Sequence, residues 1–272
     1  MRLWAPHPME ARTTVAHDAT LTYTSYLALD EVLGAQRPRS DEHDEPLFIT
    51  IHQVYELWFK QMLHELRHLQ DVLVKGDTAH ATRTLRRVLS VFKVIVAQVD
   101  VLETMTPRQF TSFRARLDAS SGFQSAQFRE LEAVLGRRDP RVLAHHSEAP
   151  ALAAAMSRPS VFDSFLAYLA AHDYPVPPSL LTRDFTRSWE ESAELQEVLL
   201  RVYADDSGPS TVAEHLVDLD EGLQEWRYRH VKMVERTIGT KSGTGGSPGA
   251  AYLRGTLFTP VFPDLWAVRS EL

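Results

Sequence analysis

The sequence predicts an all-α fold built as one helical domain, and three observations predict it. Apolar residues recur at steps of three and four over several long stretches, the period of one helix face. Helix start and stop signals sit at the ends of those stretches. Strand-like alternation is absent throughout, and no repeat or linker separates two cores.

Residues 1–20 are polar and irregular and are expected to form a flexible arm, with 21–272 as the single domain. LTYTSYLALDEVL (21–33) begins as a turn and continues as a short helix, and GAQRPRSDEHDE (34–45) reads as a loop. The first long helix is expected over about Pro46–Val74, where Leu47, Ile51, Val54, Trp58, Met62, Leu66 and Leu69 keep the helical period. Gly76 stands just past its end. Asp77 can cap a second helix, about Ala79–Met105. Thr106-Pro107-Arg108-Gln109 is a capping box with Pro at the first helical position, opening a helix through Leu117. A turn at 120–125 precedes a helix to Leu135, and 137–150 reads as loop. Helices are expected over Val161–Ala171, Thr182–Tyr203 and Thr211–Ile238, with PVPPS (175–179) as a break. GTKSGTGGSPGA (239–250) is a glycine-rich loop before a short ordered tail.

At 272 residues, the chain is long enough to hide about three quarters of its unfolded surface. A net charge of −7 argues against general nucleic-acid binding, which needs a cationic footprint. The absence of cysteine excludes disulfides, thiolate nucleophiles, iron–sulfur sites and a covalently attached c-type haem. Any metal must be held by His or carboxylate, and twelve histidines are available. No apolar run is long enough to span a membrane, and the N-terminus lacks the apolar core of a secretory signal, so the expected location is the cytoplasm.

The segment HDEPLFITIHQVYELWFK (43–60) places His52 among hydrophobes, with Phe48 one turn before it on the same face. An aromatic ring beside an imidazole suits a flat apolar ligand with one polar N–H. Near the C-terminus, Leu216, Leu219, Leu223, Trp226, His230 and Met233 follow one face. Spacing alone leaves His230 open between a hydrogen-bonded core residue and a ligand. Arg227, Arg229, Lys232 and Arg236 surround it, either as a solvated face or as partners for carboxylates such as haem propionates. The loop after it could bring Thr244 over a bound substrate or be a plain flexible connection. Phe110 and Arg114 repeat the geometry of Phe48 and His52, and Leu117 continues the face. A guanidinium in an apolar cleft is a natural carboxylate clamp, with Arg116 and Arg129 as nearby rivals. His64-Glu65-Leu66-Arg67-His68 matches the H-E-x-x-H zinc pattern but lacks an evident third ligand. It also supplies one E-x-x-H where a di-iron centre needs two.

Five stretches together resemble the tryptophan 2,3-dioxygenase family: 21–27, 43–66, 102–117, 121–129 and 226–254. The resemblance implies a helix bundle enclosing a noncovalent b-type haem, with His230 as iron ligand and His52 hydrogen-bonding the indole N–H. It implies that Phe48, Phe110 and Leu117 wall the indole, that Arg114 clamps the substrate carboxylate and that Thr244 contacts the amino-acid end. Ser120, Gly122 and Trp226 fall among the haem-binding positions. Tyr23, Tyr26 and Leu27 match a segment that reaches into a neighbouring subunit's site, in a homotetramer that is a dimer of dimers. Thr24 and Ser25 replace the Gly-containing pair often found between the tyrosines. The implied reaction inserts both atoms of O₂, the co-substrate, across indole C2–C3 of L-tryptophan to give N-formylkynurenine. The alternative within the same superfamily is insertion of one oxygen atom at C2 of tryptophan or a methylated derivative, giving a 2-oxindole. Zinc hydrolysis and a non-enzymatic haem-binding scaffold are the rivals from other classes.

Overall fold

The computed structural model describes residues 20–272 other than Ala119, Ser121, Ser147 and 245–248. The arm expected over 1–20 therefore lies outside the described residues, Thr20 excepted. Residues up to Arg37 and residues from Pro38 onward form two separate compact units. In the first, helix α1 (Tyr23–Tyr26) opens on a capping box, with Thr22 Oγ1 accepting from Ser25 N and Thr22 N donating to Ser25 Oγ. Helix α2 (Leu29–Leu33) follows Ala28, which takes a left-handed conformation. Neither helix buries a residue.

In the second unit every regular element among the described residues is helical. Helix α3 (Glu45–Val74) starts at a buried carboxylate: Glu45 accepts from Arg39 N and Ser40 N, both at 2.8 Å. Its buried seam runs through Ile51, Tyr55, Phe59, Met62, Leu66, Leu69 and Leu73. Tyr55 and Phe59 thus take the places that the sequence pattern gave to Val54 and Trp58, which are only half-buried. Both registers fit a 3.6-residue period, and tertiary packing chooses between them. Gly76, at φ +73°, ends α3 in the left-handed conformation that favours glycine. Asp77 accepts from His80 N and so caps α4 (Thr78–Leu102), whose seam is Ala81, Leu85, Val88, Phe92, Ile95 and Val99. Helix α5 (Pro107–Arg114) begins at the capping box of Thr106 and Gln109 and ends three residues before Leu117.

A 3₁₀ turn (Gly122–Gln124) leads into α6 (Ala126–Leu135). The stretch read as loop contains α7 (Pro140–His145) and reaches the start of α8 (Pro150–Met156), each with Pro in its first turn. The Asp139-Pro140 pair was the visible signal for α7, because Asp139 caps it by accepting from Arg141 N. Helix α9 (Val161–Ala171) lies where the period places it. Helices α10 (Pro178–Leu181) and α11 (Ala193–Ala204) replace the single helix expected over 182–203. Local side-chain bonds hold 182–192 out of a helix: Asp184 accepts from Thr186 N and Oγ1, and Arg183 ties Asp163 to the carbonyl of Arg187. Helix α12 (Gly208–Ile238) is the longest, followed by α13 (Ala250–Arg254) and α14 (Pro263–Ala267).

Helix α4 packs against both α3 and α12, while α6 and α9 pack on α3. One large core results, with Met62, Leu66, Leu85, Phe113, Phe165, Leu216 and Leu223 fully enclosed, beside a small separate cluster of Ala133, Leu152 and Met156. Each such leucine contributes about 2 kcal/mol relative to its exposed state. Two buried carboxylates fasten the C-terminal tail to this core. Asp220 on α12 accepts from Val261 N (2.9 Å), Phe262 N (3.1 Å) and Trp266 Nε1 (3.0 Å). Asp264 accepts from Trp189 Nε1, Ser192 N and Gln196 Nε2. No helix among the described residues is long and apolar enough to cross a membrane.

Replacing Asp220 by Ala strands the backbone N–H groups of Val261 and Phe262 in the core and frees the Trp266 indole N–H. We expect a loss of about 3 kcal/mol or more in urea-monitored unfolding. An unchanged midpoint would show that the tail is not held there.

Candidate functional site

Helices α3, α4, α5, α6, α12 and α13 enclose a cavity, and core residues such as Tyr55, Phe59, Phe128 and Trp226 form part of its wall. Because His52 follows Phe48 by one turn, both point the same way, and their rings lie 4.2 Å apart. Phe110 on α5 closes on Phe48 at 5.6 Å. On α12, Trp226 and His230 are likewise one turn apart and stack at 5.1 Å and 22°. Phe128 on α6 packs against Trp226 at 4.6 Å. The result is a mostly apolar space, rich in aromatic rings, into which two imidazoles open.

Both imidazoles are neutral near pH 7. His52 Nδ1 lies 2.7 Å from the Phe48 carbonyl, which can only accept, so Nδ1 carries the proton and Nε2 keeps its lone pair. Burial lowers the pKa of His52, against the opposing effects of that bond and of Glu56. His230 is half-buried, bordering the cavity, and makes no hydrogen bond among the described residues. Desolvation, helped by His52 and Arg129, pushes its pKa down to about 4. It therefore offers a lone pair to a ligand. Two buried donors nearby, Trp226 Nε1 and Arg227 Nε, have no hydrogen-bond partner among the described residues.

The structure brings most of the sequence-predicted residues to this cavity: Phe48, His52, Phe110, Arg114, Ser120, Gly122, Trp226, His230 and Thr244 all line it. Arg114 Nη2 donates to the Ser242 carbonyl at 2.6 Å, and Thr244 Oγ1 donates to the Ser120 carbonyl at 2.5 Å. The start of the glycine-rich loop is thereby laid against α5 and the turn before α6. Gly245 and Gly246 lie outside the described residues. Leu117 packs against the core and does not line the cavity. Tyr23, Tyr26 and Leu27 belong to the other compact unit, where they are exposed.

The cations flanking His230 divide in two. Arg229 and Arg236 pair with Asp100 and Glu103, and Lys232 pairs with Glu235, so these three belong to ion-paired outer faces. Arg227 is buried and lines the cavity. Of the rivals to Arg114, Arg129 also lines it, while Arg116 donates to the Arg39 carbonyl. The H-E-x-x-H residues do not form a site. His64 and His68 are exposed, whereas Glu65 is buried and accepts from Arg87 at 3.0 Å and from Gln61. No group of three or more potential metal-binding side chains gathers among the described residues. Sequence reasoning missed Tyr55, Glu56 and Glu132 as cavity residues. Glu56 was legible in principle, since it is one turn beyond His52. Glu132 was hidden because a carboxylate three residues after Arg129 reads as a surface pair.

Comparison with known proteins shows the family of the chain. The family model described as tryptophan 2,3-dioxygenase matches residues 8–153 and 151–272. The chain belongs to the tryptophan 2,3-dioxygenase family. It is 63% identical over 262 residues to the tryptophan 2,3-dioxygenase of Anaeromyxobacter sp. (strain K), covering 94% of this chain and 98% of the relative. It is 56% identical to that of Herpetosiphon aurantiacus (93% and 98% covered) and 38% identical to that of Pseudomonas fluorescens (98% and 99% covered). The family resemblance read from five stretches therefore extends over nearly the whole chain.

The low pKa of His230 has a measurable consequence. Its value falls from an ordinary 6.5 to about 4 in the folded chain, so between these values the unfolded chain binds more protons. The neutral ring's contribution to stability is complete above the upper value and is lost as pH falls toward the lower. We expect the ligand-free chain to lose more stability between about pH 7 and about pH 5 than its His230→Gln variant, as read by urea unfolding. Equal losses would contradict the burial assigned to His230.

Proposed function

We propose that the chain is a haem-dependent dioxygenase that converts L-tryptophan and O₂ to N-formylkynurenine. The observation that carries this reading is the pair of neutral imidazoles, His52 and His230, opening into one aromatic cavity of a chain that belongs to the tryptophan 2,3-dioxygenase family.

The cavity suits a b-type haem on the chemistry of its walls. His230 has an uncommitted lone pair, Trp226 and Phe128 offer flat apolar surface, and Arg129 and Arg227 with the unpartnered Nε of Arg227 suit carboxylates at a macrocycle's edge. His230 would hold the iron, with Ser120, Gly122 and Trp226 bordering the group. When bound, haem supplies the ferrous iron at which O₂ is activated.

The remaining residues bind and orient the amino acid. Arg114 takes its carboxylate, exchanging the neutral carbonyl of Ser242 for a charged, bidentate partner. Thr244 leaves the Ser120 carbonyl to meet the carboxylate and ammonium end. Phe48 and Phe110 flank the indole, and Leu117 supports that wall from behind. The lone pair on Nε2 of His52 accepts the indole N–H, which fixes the C2–C3 edge and keeps the proton on nitrogen. The exposed rings of Tyr23 and Tyr26, with Leu27, suit burial against a neighbouring copy in a homotetramer.

The deciding experiment supplies dithionite-reduced, haem-loaded protein with L-tryptophan and ¹⁸O₂ and reads the product mass. Two labelled oxygens are expected; one would move the chain to the monooxygenase reaction. Replacing Arg114 by Gln is expected to lower kcat/KM by about 100-fold or more, the cost of an unpaired charge. Replacing His52 by Ala is expected to slow turnover by about tenfold, the worth of one hydrogen bond. Complete loss of activity with haem retained would instead make His52 an obligatory base.

A further inference from the structure

Three guanidiniums converge on the buried carboxylate of Glu132. Arg129 Nη1 donates to Oε2 at 2.6 Å, Arg227 Nη2 donates to Oε1 at 2.8 Å, and Arg137 Nη1 reaches Oε1 at 3.4 Å. They come from α6 itself, from α12 three residues before His230, and from the segment just after α6. Glu132 is 4% exposed, Arg227 3% and Arg129 7%. Burial acts to raise the Glu132 pKa, and the three cations more than offset it, holding the carboxyl below the ordinary range.

A structural ion pair needs one cation for one anion. Here three arginines meet one carboxylate; Arg129, Glu132 and Arg227 lie at a depth where charge is weakly screened, and Arg137 reaches in from a partly exposed position. Arg129, Glu132 and Arg227 line the same cavity as His230, whereas Arg137 borders a different cleft and is partly exposed. The cluster is therefore a local field beside the proposed iron site as well as a tie between α6 and α12.

We propose that Glu132 is a positioning residue that fixes Arg129 and Arg227 in the cavity wall, cancels part of their field, and so sets how readily iron held by His230 accepts an electron. This inference rests on the haem reading above. Its physical basis is the sign of the charge. Positive charge near a redox centre favours the reduced form, so removing the carboxylate must ease reduction and removing an arginine must oppose it. A merely structural role for Glu132 predicts no such opposition.

Spectroelectrochemical titration of the haem-loaded full chain tests it, comparing the unaltered protein with Glu132→Gln and Arg137→Gln. The midpoint is expected to move positive in the first variant and negative in the second. Shifts of the same sign, or no shift in either, would overturn the proposal. If circular dichroism shows that Glu132→Gln does not fold, Arg137→Gln decides alone, and a midpoint that stays or rises defeats the idea. A chain that develops no Soret band when mixed with haem defeats the haem reading, and this inference falls with it. A normal Soret band with unmoved midpoints removes the inference alone.

Discussion

Charge placed inside a helical core has to be met by partners from other elements, and that constraint organises this molecule. Helix α12 carries Asp220 near its middle and Arg227 two turns later, both buried. Asp220 accepts two backbone N–H groups and the Trp266 indole N–H from the tail, besides Gln224 of its own helix, and Arg227 donates to Glu132 of α6. These attachments fix the rotation of α12 and, with it, the direction in which Trp226 and His230 point. Dispersion and burial supply most of the favourable energy, but they are tolerant of small rotations. The polar ties are not, because a displaced partner leaves a buried group unsatisfied.

The same contrast explains what the sequence made legible. Long helices were readable because their apolar period and caps are local: α3, α4, α9 and α12 lie within a few residues of where pattern reasoning puts them. The register of α3 within its own period was not readable, since Tyr55 and Phe59 displace Val54 and Trp58 only through packing against other helices. The segment 182–192 misled because its apolar spacing is compatible with a helix, while Asp184 and Arg183 direct their side chains to the backbone. At the cavity, motifs a turn apart found Phe48, His52, Phe110, Arg114, Trp226 and His230. Glu132 required contacts across 95 positions of sequence, which no local pattern encodes.

Arg114 and Thr244, the two residues proposed to bind the amino acid, already have protein partners in the described structure. Arg114 holds a backbone carbonyl from the glycine-rich loop, and Thr244 holds one from the turn before α6. Neither polar group faces an apolar cavity unpaired, which limits the cost of keeping them there. The partners are neutral carbonyls, so a charged ligand group can replace one of them with a net gain.

The fastening of the tail bears on the order in which the chain can acquire its structure. During synthesis α3, α4 and α12 are all complete before residues 261–266 emerge. Until then Asp220 has no backbone donors from the tail, and Trp189, Ser192 and Gln196 have no Asp264. A nascent chain at that stage has the helices of its core, but the carboxylate in the middle of the longest one has only Gln224 of its own helix as a partner. Residues 261–266 thus close the domain, and consolidation of α12 and of the cavity wall it carries waits until they have been added and have left the ribosomal tunnel.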